Sequence, residues 1–181
     1  MVLVMLRNSK ISIEGKQLKS VYAVYVIELT CRHDKYFYVG QTGDAHYIAA
    51  RPPFSRIGGH LENTKRSTQN QIYKFIINKL GISAPAEAND YRRADKANVE
   101  RFLSETQITM HIYPLIEFEY MGTEDEHRNR RNRVLEFEKQ VIQLFDKAGR
   151  HLINKSRHRP GQTSGSVFPD KFQAMKADFN L

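Results

Sequence analysis

The stretch Val21 to Leu29, VYAVYVIEL, is almost wholly apolar and β-branched or aromatic, broken only by Glu28. That pattern predicts a strand covered on both faces. After the polar linker TCRHDK comes KYFYVGQT, a second strand. Side chains alternate across a strand, so Tyr25 shares a face with Val21, Ala23 and Ile27, and Tyr38 with Tyr36 and Gly40. An antiparallel pairing of the two can bring Tyr25 and Tyr38 to one face; the spacing leaves the register open. A third strand is predicted over 107–120, with Ile108, Met110, Ile112, Ile116, Phe118 and Tyr120 on one side. Pro114 has no N–H for a ladder bond, so part of this strand is expected at an edge or a bulge. A small strand and turn are expected over Lys10 to Gly15.

Helical periods fill most of the rest. Pro53 is placed to open a helix. On it Arg56 and His60 would share a face, though Gly58 and Gly59 argue against a strong helix. Glycine there would also let a phosphate backbone approach closely. Gln69 to Leu80 has a stripe of Ile72, Phe75, Ile76 and Leu80, stopped by Gly81. Residues 81–90 read as a linker, and Tyr91 to Glu105 as a surface helix with Phe102 and Leu103 inward. The longest predicted helix is Glu126 to Ala148, where Val134, Phe137, Val141, Ile142 and Phe145 cluster on one side. His151 to Asn154 reads as a short strand or turn, and the last residues as a short helix. The expected fold is α+β: one domain over 1–181, built on a small, mainly antiparallel three-stranded sheet flanked by helices. Its core would be residues 21–155, with an N-terminal extension 1–20, a helical insertion at 81–106, and a basic, flexible tail at 156–181.

On the longest helix, Glu136 falls on the polar side with Gln143, whereas Glu138 falls near the middle of the apolar side. A carboxylate aimed at a core is costly unless paired or bound to a cation. A buried ion pair or a slightly rotated helix would satisfy Glu138, and so would a metal site.

Net charge is +8, with a pI near 9.6. This favours a polyanionic partner, most simply nucleic acid. The basic run Arg128, Arg130, Arg131 and Arg133, and the later Lys155, Arg157 and Arg159, are candidates for nucleic-acid contact; a solvated charged face is the alternative. The single cysteine, Cys31, excludes an intramolecular disulfide and a multi-cysteine zinc site. No apolar run reaches the about 18–20 residues of a spanning helix, so no membrane is expected. The first residues do not read as a signal peptide, and a cytoplasmic, intracellular protein is expected. No protein partner is evident from the sequence, and the oligomeric state is open.

The order tyrosine, tyrosine, Arg-x-x-x-His, core-facing glutamate, asparagine resembles the GIY-YIG nuclease superfamily. Ala23-Val24-Tyr25 is similar to its first motif, with Ala23 and Val24 as small and β-branched replacements, and Tyr38-Val39-Gly40 to its second. Arg56-Ile57-Gly58-Gly59-His60 is similar to its arginine–histidine helix. Glu138-Lys139-Gln140-Val141-Ile142 looks like its metal-binding helix and Asn154 like its closing asparagine. The resemblance covers Val21 to Lys155. It implies a metal-dependent DNA endonuclease in which Glu138 holds Mg²⁺ or Mn²⁺ and Arg56 holds the scissile phosphate. Tyr25 would be the general base, its pKa lowered by Arg56, and Tyr38 would position water or phosphate. His60 would assist proton transfer or bind phosphate, and Asn154 would orient Glu138 or nearby backbone. Restriction-type cleavage is one form of this function. The alternatives are a structure-specific repair or mobile-element nuclease, and a non-catalytic nucleic-acid-binding module on the same scaffold.

Overall fold

The apolar run at 21–31 becomes the inner strand of a sheet because neighbours cover both its edges and both its faces. In the computed structural model, which describes residues 12–61, 70–82, 93–154 and 166–181, β1 (Val21–Cys31) pairs antiparallel with β2 (Asp34–Gln41) and with β3 (Thr106–Glu117). The short β4 (His151–Leu152) lies parallel to β2, giving the order β3-β1-β2-β4. The sheet is therefore four-stranded and mixed, where three strands were expected. The fourth strand falls within His151 to Asn154, which reads as a short strand or turn; two residues carry too little alternation to place it in the sheet or to show that it runs parallel.

Helices pack on both faces. One layer holds α1 (Pro53–Leu61), α2 (Gln71–Lys79) and α3 (Arg93–Ser104). It buries Tyr25, Ile27 and Leu29 of β1 against Ile72, Tyr73, Ile76 and Ile77 of α2 and Val99 of α3. The other holds α4 (Glu124–Lys147) and α5 (Pro169–Phe179). It buries Tyr22, Val24 and Val26 against Val134, Phe137, Val141, Phe145, Met175 and Phe179. Successive residues of β1 thus feed two different cores, which is why the strand reads as continuously apolar.

Four expectations change. The predicted stripe of α2 is rotated: Tyr73 and Ile77 are buried, while Leu80, the C-terminal cap, is exposed. β3 does not keep one face. It is an edge strand with a register shift opposite Tyr22 and Ala23, so Leu115 is the extra residue. One extra residue inverts the alternation: Ile108, Met110 and Ile112 pack on the α2 side, Ile116 and Phe118 on the α4 side. Residues 12–14 are not a strand but precede a single 3₁₀ turn, Gly15–Leu18; Lys10 and Ile11 lie outside the described residues. The end of the chain belongs to the core rather than to a flexible tail. Phe179 stacks on Phe37 and Phe145, and Asp178 accepts a 2.7 Å hydrogen bond from Tyr113. Most of the expected linker at 81–90 lies outside the described residues.

The end of β1 nearest the candidate residues is fastened by one buried hydroxyl. Thr42 Oγ1 accepts from the Ala23 N–H at 2.9 Å and donates to the Val21 carbonyl at 2.5 Å. Replacing Thr42 by the near-isosteric valine strands both backbone groups. Thr42→Val is expected to cost about 1–3 kcal/mol, read as a lower urea midpoint with an unchanged slope. A midpoint equal to wild type would show that these bonds do not hold the strand.

Candidate functional site

Tyr25 projects from β1 on the α1–α3 side. Its ring crosses β2 at Gly40, its register partner. A Cβ built at position 40 would lie 2.5 Å from Tyr25 Cζ, so only glycine admits this path. Helix α1 continues through Gly58 and Gly59 despite their low propensity, and so places Arg56 and His60 one turn apart on the face toward Tyr25. Arg56 Nε–H donates to Tyr25 Oη at 3.3 Å. His60 Nε2 lies 2.8 Å from the same oxygen. The tyrosine hydroxyl donates to Nε2 in the tautomer of His60 that carries its hydrogen on Nδ1. Tyr38 shares this face, its ring 4.3 Å from that of His60 and 6.4 Å from that of Tyr25. His60 is fully buried and Tyr38 half-buried.

Glu138 comes from the opposite layer. It sits on the core-facing side of α4 and is only 9 % exposed, whereas Glu136 pairs with Lys139 at 3.9 Å. Burial pushes the Glu138 carboxyl up to about 7, against the opposing charges of Arg56, Arg131 and Lys139. These cations act through space: among the described residues none reaches Glu138 with a hydrogen bond or contact ion pair. Neither the buried ion pair nor the outward rotation that the sequence leaves open is realised. Glu138 and Arg56 both act electrostatically on Tyr25 and Tyr38, so the two layers converge on one centre.

That convergence happens beside β2. There β4 stops after pairing with Tyr36 and Phe37, and Asn154 takes over the next backbone groups. The Val39 N–H donates to Asn154 Oδ1 and Asn154 Nδ2 donates to the Val39 carbonyl, both at 2.8 Å. Of the two roles expected for Asn154, holding the backbone is the one its contacts serve.

One expectation about Tyr25 is reversed. Arg56 does lower its pKa by charge and hydrogen bond, but burial raises it more, with Glu138 adding to the rise, and the phenol is pushed up to about 12. Tyr38 is also raised, first by burial and then by the charges of Tyr25 and Glu138. At neutral pH both are neutral hydroxyls.

The basic run on α4 divides. Arg128 is tied to Glu124 at 2.9 Å and Asp125 at 3.4 Å, and Arg130 to Glu119 at 2.8 Å. Arg133 lies over the Phe168 ring, 5.1 Å from its centroid. Arg131 alone of the four acts on Glu138. Lys155, Arg157 and Arg159 lie outside the described residues. A second buried Tyr–His pair, absent from the sequence reading, sits on the other face of β1, where Tyr22 donates to His127 Nδ1 at 2.6 Å. No local spacing links residues 22 and 127.

Among the described residues no three His, Cys, Asp or Glu side chains cluster to hold a metal. A Mg²⁺-type site does not need three, because that ion keeps several waters and takes one or two carboxylates plus substrate phosphate oxygens. A buried carboxylate with no contact counter-ion fits such a role. Comparisons with protein-family models, with curated proteins and with solved structures yield no match to this chain.

Two outcomes are expected. In Gly40→Ala the added methyl displaces the Tyr25 ring, costing about 1–3 kcal/mol. That cost shrinks in a double-mutant cycle with Tyr25→Leu, whereas strict additivity would show that the ring does not cross Gly40. The second outcome concerns pH. The folded-state pKa of Glu138 is raised, so ionising it disfavours the fold: its contribution is full below the ordinary value of 4.5 and is lost as pH rises through about 7. In EDTA, Glu138→Gln should therefore gain on wild type across that window by roughly 2–4 kcal/mol. Thermal melts at a series of pH values read this directly, and a gap independent of pH would contradict it.

Proposed function

We propose that this chain is a metal-dependent DNA endonuclease that hydrolyses phosphodiester bonds. The observation that carries the reading is the meeting of a buried, contact-unpaired carboxylate, Glu138, with the Arg56–Tyr25–His60 chain at one centre. The general basicity of the chain is consistent with a polyanionic substrate.

Phosphodiester hydrolysis needs a deprotonated water, charge compensation at phosphorus, and alignment of the two. Glu138 would hold Mg²⁺ or Mn²⁺, which when bound supplies positive charge to the phosphate oxygens. Arg56, anchored at Nε on Tyr25, offers a planar fork suited to the scissile phosphate. Water gives its proton to Tyr25 Oη while Tyr25 gives its own to His60 Nε2. The acid–base couple is then Tyr25 with His60, and the histidine stores the proton. Such a relay removes the difficulty of a phenol with a pKa of about 12 acting alone. Tyr38, its ring tilted 56° against that of His60, would hold the ring that receives the proton. Asn154 holds Val39 and, through it, the Gly40 crossing. Restriction-type cleavage, repair and mobile-element roles share this chemistry and differ in the DNA they select.

A second reading, a nucleic-acid-binding module without catalysis, is favoured by one observation: Glu138 stands without a cluster of further metal-ligating side chains among the described residues. Among the described residues no helix is long and apolar enough to cross a membrane.

The deciding experiment is cleavage of supercoiled plasmid with Mg²⁺ or with EDTA. Wild type is expected to cut with Mg²⁺ only. Glu138→Ala and Tyr25→Phe, each shown folded by circular dichroism, should lose at least about 100-fold in rate. Discrete fragments would indicate restriction, and structure-dependent nicking would indicate repair. A folded wild type that binds DNA without cutting, with binding intact in Glu138→Ala, would favour the module instead.

A further inference from the structure

The segment between β2 and α1, which reads as a plain loop in the sequence, is built as a stiff finger. Its base is closed by the isolated bridge between Gly43 and Ala50, by the Asp44 N–H to Ala49 carbonyl bond at 2.9 Å, and by the Arg51–Asp44 ion pair at 3.0 Å. It is also tied to α4: His127 Nε2–H donates to the Asp44 carbonyl at 3.1 Å while His127 Nδ1 accepts from buried Tyr22. On this fixed base the tip is apolar and uncovered. Tyr47 is 74 % exposed and its neighbour Ile48 is exposed as well.

A cleft of about 410 Å³ separates the finger from α4. Asp44, His46 and Tyr47 line one side, and Arg128, Arg131 and Asn132 the other. The lining offers a large aromatic face, hydrogen-bonding groups and cations. Arg128 is already paired with Glu124, which leaves Arg131 as the cation for a ligand. Arg131 Nε is buried and has no hydrogen-bond partner among the described residues. An aromatic platform on a rigid support beside an uncommitted guanidinium is the chemistry that holds an unstacked nucleotide.

We propose that the 43–50 finger and α4 form a second nucleic-acid subsite, taking one unstacked base of DNA on the Tyr47 ring and its phosphate on Arg131. The proposal rests on the nuclease reading for its purpose, which is to select DNA whose bases are already free near the cleavage centre. Arg131 and Glu138 are seven residues apart on α4, about 10 Å along its axis. A strand held at the cleft would therefore lie within reach of the Glu138 centre. Pulling a base out of an intact duplex costs a few kcal/mol, so single-stranded or distorted DNA should bind in preference to perfect duplex.

The test is binding of a short fluorescein-labelled oligothymidylate by the full chain in EDTA, where no cutting is required. Tyr47→Ala should weaken binding about tenfold with no loss of melting temperature, since the ring is solvent-exposed. Tyr47→Phe, which keeps the stacking face, should stay within about twofold of wild type. Arg131→Gln should flatten the salt dependence by about one phosphate contact, and Tyr47→Ala should leave that slope unchanged. Equal affinities for wild type and Tyr47→Ala would overturn the subsite, as would Tyr47→Phe falling as far as Tyr47→Ala. Plasmid cutting is read separately. Cutting with Tyr47-independent binding rejects the subsite and leaves the nuclease reading standing. Tyr47-dependent binding without cutting upholds the subsite and rejects the nuclease reading.

Discussion

A carboxylate held out of water without a contact partner among the described residues is the constraint on which the arrangement at this centre depends. Glu138 lies on the core face of the longest helix, and its surroundings raise its pKa to about 7 by burial alone, against three nearby cations. A fold tolerates such a group when it is protonated or when a cation offsets its desolvation. Two backbone devices bring that group to the others. Gly40 leaves the space that the Tyr25 ring occupies as it crosses β2 toward His60 and Arg56. Asn154 completes the hydrogen bonding of Val39 where the short parallel strand has already ended. Without the first the tyrosine is blocked, and without the second the backbone beside it loses two partners.

β1 organises both faces of this plan. Its odd-numbered residue Tyr25 engages His60 and Arg56 on one side, and its even-numbered residue Tyr22 engages His127 on the other. The two Tyr–His pairs look alike in contact but differ in setting. In the first, the hydroxyl also receives an arginine and stands in the field of a buried carboxylate. In the second, the histidine spends its remaining nitrogen on the Asp44 carbonyl, so the pair serves as a clamp between the 43–50 finger and α4. The same residue types thus form part of a charged, buried centre on one face and a clamp on the other.

How much of this was legible in the sequence follows from what each feature depends on. The nearly continuous apolar run of β1 and the inward position of Glu138 depend on periodicity within one element, and both are found as read, whereas the shared face of Tyr25 and Tyr38, which the spacing allowed, is fixed by the register of two strands. The start of α4 was readable too. Thr123 and Glu126 form a reciprocal capping box, the T-x-x-E signature, which sets the helix start at Glu124 rather than Glu126. Features that depend on pairing between distant segments were not legible: the parallel β4, the bulge that turns Ile116 to the opposite face from Ile112, and the bond between Tyr22 and His127. The pKa of Tyr25 was misread for a related reason. Arg56 is visible as a neighbouring charge, but the depth of burial that outweighs it is set by the whole fold.

The central claim is that Glu138 is a carboxylate reserved for a divalent cation, and thermal denaturation at pH 8 with increasing Mn²⁺ or Mg²⁺ tests it without requiring a substrate. Binding to the folded state alone raises the melting temperature with metal concentration. The account predicts that rise for wild type and its absence in Glu138→Gln. An equal rise in both proteins, or none in wild type, would contradict it.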